Sequence, residues 1–373
     1  PTGASHPTIS APIAGSAGLT KTGSGTLVLT GANTFTGGIR VNAGRLEITP
    51  TSGNLANNNI TLGGGTLAIF GASTTVQNAG QNGLNAYYYN FGAAPNTLDA
   101  RFATEMLIIP DRVIQRIDSH SMTLNLPVAV NTDYPRIPVI GYQVPDYLGM
   151  MWKGLLNITN AGSYTFQVAH DDYFSLYIDG QVVLPDAGYT SGRTSSPITL
   201  SAGAHSIVIK FTQGGGGKYL VVQYSGPDTG NNYQILGSTP GVLTTGSLQP
   251  VQIGQVGGSG TLEIYSDMVA SGFTLAGGQT FTLQSPTIST LTINGSATLT
   301  GSGTATLAPT TGALIFKQPI TGSGWTGSLT VAGPYLTRFE ATNTYTGTTT
   351  VTGGRLELAA PSNAIPGSLD INA

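Results

Sequence analysis

The amino-acid sequence predicts an all-β protein: a parallel β-solenoid, or β-helix, interrupted by an inserted antiparallel β-sandwich domain. Three observations lead to this fold class. Short strand-like segments bounded by turn residues run through the chain, the same unit occurs on both sides of the middle, and the middle differs in composition from both flanks. Repeats of this kind bury their apolar face only by stacking on one another, which stabilises a solenoid.

The composition excludes several classes of function. Only 8% of the 373 residues are charged and 53 are glycine, whereas ordinary soluble domains are about 25% charged. A net charge of −3 gives no basic field that would attract a phosphate backbone, so we expect no nucleic-acid partner. The absence of cysteine excludes a disulfide scaffold and thiolate metal sites.

Targeting segments are not apparent in the sequence. No stretch approaches the roughly 18 to 20 consecutive apolar residues of a membrane-spanning helix, so we expect no transmembrane segment. Residues 1–18 contain neither a basic start nor an apolar run, so we expect no signal peptide there.

Short β-favouring segments predict the strands of the two flanks. They include Thr26 to Thr30 (TLVLT), Arg45 to Ile48 (RLEI), Thr261 to Tyr265 (TLEIY) and Arg355 to Leu358 (RLEL). Brief strands bounded by turn residues suit a sandwich, a barrel or a solenoid, and internal repetition decides among these.

The repeat is visible when the sequence is shifted by 310 positions. Leu19 to Ile48 then aligns with Leu329 to Leu358 without a gap, and twelve of the thirty positions are identical. The same unit therefore stands on both sides of the middle segment, which favours a solenoid with an insertion between its turns.

The repeated unit is similar to a known family. Ser16 to Ile48 resembles the autotransporter-associated β-strand repeat, and Gly322 to Leu358 resembles a more diverged copy. The motif GANTFTG at 31–37, followed by Val41 and by Gly44-x-Leu46, carries the resemblance. It implies a right-handed parallel β-helix and export to the cell surface.

The middle of the chain is a different kind of sequence. Residues 83–230 hold 19 of the 31 charged residues and 12 of the 16 tyrosines. We therefore predict three parts: solenoid turns with an extended N-terminal segment at 1–82, an inserted domain at 83–230, and solenoid turns at 231–373.

Strand patterning within the insertion predicts an antiparallel β-sandwich. The predicted strands are Trp152 to Ile158, Gly162 to Ala169, Ser175 to Ile178, Ile198 to Leu200, His205 to Phe211 and Tyr219 to Tyr224. Asp179-Gly180 predicts a two-residue hairpin, because a type I′ turn needs positive φ at both central positions.

The insertion resembles the lectin-like domain family named after protective antigen, which includes flocculin adhesins. The segments that agree in order include Trp152-x-Gly154, AGSYTF at 161–166, His170-Asp171-Asp172, LYIDG at 176–180 and YSGP at 224–227. The resemblance implies a carbohydrate-binding β-sandwich.

The resemblance also implies a cation site at Asp171-Asp172. In flocculin-type relatives the peptide between the two aspartates is cis, and both carboxylates bind Ca²⁺, which chelates vicinal hydroxyls of a sugar. The remaining ligands come from the place of residues 213–218, where this chain has QGGGGK and offers the Gln213 amide. We therefore expect Asp171, Asp172 and Gln213 to bind calcium, and Asp171, Asp172 and Tyr173 to contact carbohydrate.

These residues also have plainer interpretations. An Asp-Asp pair at a strand end is often a solvated turn. His170 is a potential transition-metal ligand beside the pair, but we interpret it, like His205, as a surface residue.

The aromatic and charged candidates outside the pair have plain alternatives as well. The aromatic side chains of this segment either stack on sugars or form the sandwich core, and we favour the core. They are Trp152 and Tyr87 to Tyr89. Arg45 and Glu47 are expected to be solvated or to stack between solenoid turns.

Three hypotheses about function follow. The first is an extracellular surface protein whose solenoid displays a calcium-assisted, adhesin-like carbohydrate-binding domain, with glycans as partners. The second is a purely structural subunit of an extracellular filament without a sugar ligand. The third is a polysaccharide-acting enzyme, but we expect no enzyme because the flanks, with 12 charged residues, offer no cluster of acids and bases.

Neither end of the sequence resembles a polar cap, and a solenoid with open ends exposes unpaired backbone groups. We therefore expect a homo-oligomer formed by head-to-tail stacking of solenoids, unless caps lie on a longer polypeptide.

Overall fold

The computed structural model describes residues 6–49, 55, 57–71, 76–90, 112–114, 123–125, 148–213, 219–360, 362 and 364–372. The chain forms two compact units, one of Pro1–Ser73 with Pro250–Ala373 and the other of Thr74–Gln249. The predicted limits at 83 and 230 lie inside the second unit. Across the described ranges, no helix has the length and hydropathy of a membrane span.

The strands are numbered in chain order. The first unit begins with β1 (Thr8–Ile9), β2 (Leu19–Lys21), β3 (Thr26–Leu29), β4 (Ile39–Val41), β5 (Arg45–Ile48) and β6 (Ile60–Ile69). The second unit contains β7 (Val76–Asn78), β8 (Asn85–Asn90), β9 (Arg112–Ile114), β10 (Thr123–Asn125), β11 (Leu148–Ile158), β12 (Gly162–His170), β13 (Tyr173–Ile178), β14 (Gln181–Ala187), β15 (Thr190–Thr194), β16 (Ile198–Leu200), β17 (Gly203–Gln213), β18 (Tyr219–Ser225), a 3-10 helix (Pro227–Thr229), β19 (Gln234–Ile235), β20 (Leu243–Thr244) and β21 (Ser247–Leu248). The first unit resumes with β22 (Val251–Ile264), β23 (Met268–Ala276), β24 (Thr280–Gln284), β25 (Thr290–Ile293), β26 (Ala297–Thr300), β27 (Thr304–Pro309), β28 (Ala313–Phe316), β29 (Ile320–Thr321), β30 (Ser328–Val331), β31 (Leu336–Phe339), β32 (Thr349–Val351), β33 (Arg355–Leu358) and β34 (Leu369–Ile371).

The first unit is a solenoid of parallel ladders. One ladder runs through β3, β5, β6, β22, β24, β27, β30, β32 and β34. A second runs through β2, β4, β6, β22, β23, β26 and β29. A third runs through β22, β23, β25, β28, β31 and β33. Inward side chains of all three form one core, which contains Leu29, Leu46, Phe273, Phe281, Phe316 and Phe339.

The asparagine of the repeated motif holds the corners of the solenoid together. Asn33 is buried, and its Oδ1 accepts a hydrogen bond from the backbone N–H of Ile13 at 2.9 Å. The equivalent Asn343 is also buried and accepts from the N–H of Ile320 at 2.8 Å. Since the ladders are interrupted at corners, these amides satisfy backbone donors that have no ladder partner there.

The second unit is an antiparallel sandwich. One sheet has the order β10-β18-β12-β15 and the other β14-β13-β17-β11-β8-β9. Their inner faces share an apolar core that includes Trp152, Tyr164, Phe166, Phe174 and Phe211. The predicted fold class, a parallel solenoid interrupted by an antiparallel sandwich, is confirmed.

The predicted hairpin turn is also present. Asp179 and Gly180 both have positive φ, 47° and 71°, as a type I′ turn requires. The turn connects Ile178 to Gln181, which are paired across β13 and β14.

An ion cluster joins the two arms of the solenoid across the insertion. Arg45 on β5 donates two hydrogen bonds to Glu263 on β22, at 2.8 and 2.7 Å, and a third to Glu47 at 2.7 Å. In the ladder, the small Ala68 lies between the two glutamates, which leaves Arg45 room to reach across. The side chain of Glu263 is only 8% exposed, and it also accepts from the hydroxyl of Tyr265. Arg45 and Glu47 therefore stack between turns rather than pointing into solvent.

We expect Glu263→Ala to lower the free energy of unfolding of the solenoid by about 2–3 kcal/mol, because it removes one partner of a largely buried ion pair. Glu357→Ala is the matched control: Glu357 pairs with Arg355 at 3.3 Å, but both side chains are more exposed, and we expect a loss below about 1 kcal/mol. Denaturant unfolding of both variants, followed by circular dichroism, measures the difference. Equal losses would contradict a role for the cluster in joining the arms.

Candidate functional site

The two aspartates form the corner at which the chain changes sheets. Asp171 and Asp172 are the whole connection between β12 in one sheet and β13 in the other. The described residues contain no cis peptide bond, so the peptide between them is trans, which differs from the cis bond that the flocculin resemblance implied. Asp172 instead has φ 60°, and its N–H donates to Asp171 Oδ1 at 3.1 Å. A left-handed residue, which aspartate tolerates well, turns the chain without a cis bond.

A second crossing lies beside this corner. In register, His170 on β12 pairs with Thr190 on β15, and Phe174 on β13 pairs with Ala187 on β14. Antiparallel partners run in opposite directions, so the residue after His170 lies opposite the residue before Thr190. This register places Asp171 opposite Tyr189. The β14–β15 connection therefore runs alongside the aspartate corner.

The end of β17 and the start of β18 lie on the other side of the corner. His170 pairs with Leu220 on β18, and Tyr173 pairs with Thr212 on β17. In the pairing of β13 with β17, the residue before Tyr173 lies opposite the residue after Thr212. Asp172 is therefore opposite Gln213, the last residue of β17. The topology therefore brings Asp171, Asp172, Tyr173 and Gln213 to the same end of the sandwich.

The described residues include two candidate oxygen ligands for the predicted calcium ion. Asp171 and Asp172 are both half-buried, and their oxygens suit a hard cation that takes about six to eight oxygen ligands. Across the described part of the chain, no group of three or more histidine, cysteine, aspartate or glutamate side chains is placed to share a metal. Further oxygens would come from backbone carbonyls and from the predicted ligand loop. The side chain of Gln213 and residues 214–218 lie outside the described residues, so their role as ligands stays a prediction.

His170 is a core residue, and its interpretation as a surface histidine is wrong. It is fully buried and packs on Phe174, with ring centroids 5.4 Å apart. Burial disfavours its charged form and, with the positive charge of Arg193, lowers its pKa to about 4. The imidazole is therefore neutral at neutral pH.

His205 is also buried, contrary to expectation, and it takes part in a Ser-His-Asp arrangement. Its Nδ1 lies 2.5 Å from Asp179 Oδ2, and its Nε2 lies 3.5 Å from Ser201 Oγ. The same Nε2 lies 2.9 Å from the carbonyl oxygen of Ser201, an acceptor only. Both ring nitrogens therefore face acceptors, and the arrangement favours an imidazolium that donates from both. Such a ring has no lone pair with which to activate a serine.

The direction in which the pKa of His205 is shifted agrees with this geometry. Burial of the ring disfavours its charge, but the hydrogen bond and attraction of Asp179 and the contact with the Ser201 carbonyl outweigh burial, and the pKa of His205 is raised. Asp179 Oδ1 also accepts from the N–H of Ser206 at 2.9 Å. The pair therefore anchors the β13–β14 hairpin to β17.

Comparison with known proteins gives two family matches. The Passenger-associated-transport-repeat matches residues 19–48 and 337–358. The PA14 domain matches residues 137–235. Both predicted resemblances are confirmed.

Individual relatives are consistent with these matches. The chain is 39% identical over 100 residues to the adhesin BmaC autotransporter of Brucella suis biovar 1 (strain 1330), a match that covers 21% of this chain and 3% of that protein. Among solved structures, a PA14 sugar-binding domain from an RTX adhesin is 19% identical, with a TM-score of 0.34, and the match covers 44% of this chain and 99% of that one. The epithelial adhesin 9 A domain of Candida glabrata, solved with Galβ1-3GlcNAc, is 11% identical, with a TM-score of 0.34 and coverage of 44% and 95%.

The aromatic candidates of the second unit divide between core and surface. Trp152 is 1% exposed and belongs to the core, as we favoured. Tyr87 is half-buried, and the side chains of Tyr88 and Tyr89 lie outside the described residues. Tyr189, which sequence reasoning missed, is 66% exposed. The sequence marks it only as an aromatic residue among turn-forming neighbours, in AGYTSG at 187–192.

We expect the His205–Asp179 pair to stabilise the second unit more at acidic than at alkaline pH. Because the folded-state pKa of His205 is raised, its contribution is fully present below the unfolded value of about 6.5 and is lost as pH rises through the folded pKa. His205→Gln should therefore cost about 1–2 kcal/mol at the acidic end, and the cost should shrink with increasing pH. Thermal melts of both proteins across this range measure it.

Ser201→Ala is the control for this experiment, since it removes the hydroxyl and keeps the carbonyl. We expect its melting temperature to follow that of the unaltered protein at every pH. A cost of His205→Gln that grew with pH would contradict the imidazolium assignment.

Proposed function

We propose that this chain is part of an extracellular surface adhesin, in which the solenoid displays a PA14 domain that binds glycans at the aspartate corner. The observation that carries the proposal is the position of the aspartate corner at one end of the sandwich, where the register places Asp171 beside the β14–β15 connection and Asp172 beside Gln213, the last residue of β17. The 39% identity to the adhesin BmaC autotransporter over 100 residues supports an adhesive role at the cell surface.

Calcium is part of the proposal. Asp171 and Asp172 would hold it through their carboxylate oxygens, with the remaining oxygens from the sugar, the backbone and the loop that follows Gln213. A bound calcium ion supplies positive charge that attracts pairs of vicinal hydroxyls, and it neutralises the two carboxylates. Tyr173 begins β13 directly after the pair and would contact the bound sugar.

An enzymatic function has less support from the contacts. The acidic side chains Glu47 and Glu263 are held by Arg45, and Glu340 is held by Lys317 at 2.5 Å and by Arg338 at 3.0 Å. Carboxylates held in ion pairs with neighbouring cations are poorly placed to transfer a proton to a substrate. Both nitrogens of His205 face acceptors, an arrangement that favours the protonated ring and leaves it poorly suited to act as a general base.

Head-to-tail association stays a prediction. The second hypothesis, a structural filament without a sugar ligand, shares it and differs in having no glycan partner. A measurement of glycan binding therefore distinguishes the adhesin hypothesis from the filament hypothesis, whereas a measurement of head-to-tail association does not.

We expect Asp171→Asn to abolish glycan binding, because a hard cation loses much of its affinity when a charged oxygen ligand is removed. Asp370→Asn removes an exposed carboxylate of the solenoid and should leave binding unchanged. Binding of the intact chain and both variants to a glycan array, with and without calcium chelator, is the measurement.

The outcomes of the array separate the hypotheses. Binding that survives chelator but is lost in Asp171→Asn would remove calcium and keep the site. Binding that survives both would place the glycan elsewhere. No binding by the intact chain would favour the structural filament.

A further inference from the structure

Tyr189 is an exposed aromatic residue at the end of the PA14 domain that holds the candidate site. Its 66% exposure is the highest of any large apolar side chain in the described part of the second unit, where Tyr233 and Val76 are each 42% exposed. Single exposed apolar residues are common and carry no meaning by themselves. The position of Tyr189 in the fold gives its exposure significance.

The backbone fixes Tyr189 beside the aspartate corner. Thr190, the next residue, is paired with His170 on β12, and His170 immediately precedes Asp171. The hydroxyl of Thr190 accepts from the N–H of Gly192 at 3.1 Å, which holds the start of β15. On the other side, Gly188 has no atom within 4 Å of the place where a Cβ would lie. Tyr189 therefore stands at an anchored strand start that opens toward solvent.

We propose that Tyr189 stacks on the pyranose ring of the glycan bound at Asp171 and Asp172, and that it selects neutral sugars with one unhindered apolar face. The proposal rests on the proposed function and names a second recognition element for it. The C–H groups on one face of a pyranose carry partial positive charge and pack on the electron-rich face of an aromatic ring. The cation would orient hydroxyls at one edge of the sugar, while Tyr189 would cover a face.

The charges at this end give little attraction for an anionic sugar. Asp171 and Asp172 bring two carboxylates, and Arg193 on β15, which is paired with Val168 on β12, is a nearby cation. A bound calcium ion would offset the two carboxylates, which leaves only a small positive charge to attract a sialylated or uronic acid-containing glycan. A tyrosine also has few rotatable bonds, so ordering its ring on binding costs little entropy.

The experiment compares Tyr189→Ala with Tyr233→Ala in the full chain. Tyr233 is the matched control because it is also an exposed tyrosine of the PA14 domain, but its hydroxyl contacts Thr165, near the opposite end of β12. The probes are lactose, methyl α-mannopyranoside and 3′-sialyllactose, measured by titration calorimetry and by proton NMR of the sugar. Tyr189→Phe tests whether the ring or the hydroxyl matters.

We expect Tyr189→Ala to weaken binding of the better neutral probe by about tenfold with an unchanged melting temperature, and Tyr189→Phe and Tyr233→Ala to bind like the unaltered chain. Upfield shifts of the sugar C–H protons, caused by the ring, should be present in the unaltered chain and absent from Tyr189→Ala. A merely structural role for Tyr189 would not produce those shifts.

The contrary outcomes are distinguishable. If Asp171→Asn loses binding while Tyr189→Ala keeps it, the proposed function stands and the stacking role is wrong. Preferred binding of 3′-sialyllactose would overturn the selection of neutral sugars. If the intact chain binds neither neutral probe and no neutral glycan on the array, the proposed function and the role of Tyr189 are both overturned.

Discussion

Parallel pairing of β6 with β22 is the constraint on which the rest of the structure depends. These strands are separated in sequence by the whole second unit, yet they pair over most of their length, from Ile60 with Val256 to Ile69 with Ile264. Each solenoid turn covers the apolar face of its neighbour, so a break at this ladder would expose the core of both arms. The Arg45–Glu263 contact reinforces the same junction from the outer face. An insertion of this size is tolerated because the entropy of closing a loop grows slowly with its length.

The proposed site follows from how a sandwich is connected. Strands that pass from one sheet to the other must cross at an end, and the connections that follow β12 and β14 share one end of the second unit. Asp171, Asp172 and Tyr189 lie in these connections, outside the strands, so the carboxylates and the exposed aromatic ring are carried there without cost to the core. The core next to them is well packed: His170 and Phe174, on either side of the aspartate corner, are both fully buried. A rigid support of this kind keeps the site residues in place.

Much of the fold could be predicted from sequence because its signals are local or repeated. The copies of the GANTFTG motif reveal the solenoid, and the structure explains the retained asparagine through its bond to the preceding turn. Asp179-Gly180 identified a hairpin by its backbone requirements alone. The aspartate pair and Gln213 were placed together by resemblance, and the strand register brings them to the same end.

The remaining features depend on contacts between residues far apart in the chain. Nothing local shows that His170 and His205 are buried, since burial is decided by the sheets that cover them. The raised pKa of His205 depends on Asp179, which lies in the β13–β14 turn, 26 residues earlier in the chain. Tyr189 is significant only because β15 pairs with β12, and that register is not visible in the sequence. The cis peptide was carried over from relatives, whereas this chain turns the corner with a left-handed Asp172.

The most direct test of the continuous solenoid is a disulfide across the β6–β22 ladder. The chain has no cysteine, so Thr66→Cys with Thr261→Cys introduces a single pair at positions that are partners in register. Parallel partners lie about 4.8 Å apart, within the range of roughly 4.4–6.8 Å that a disulfide accepts between Cα atoms. The account predicts that this pair oxidises readily to an intramolecular disulfide, while Thr61→Cys with Thr261→Cys, which are out of register, stays reduced. Free thiols in the first double variant, or equal cross-linking in both, would contradict a solenoid that continues across the insertion.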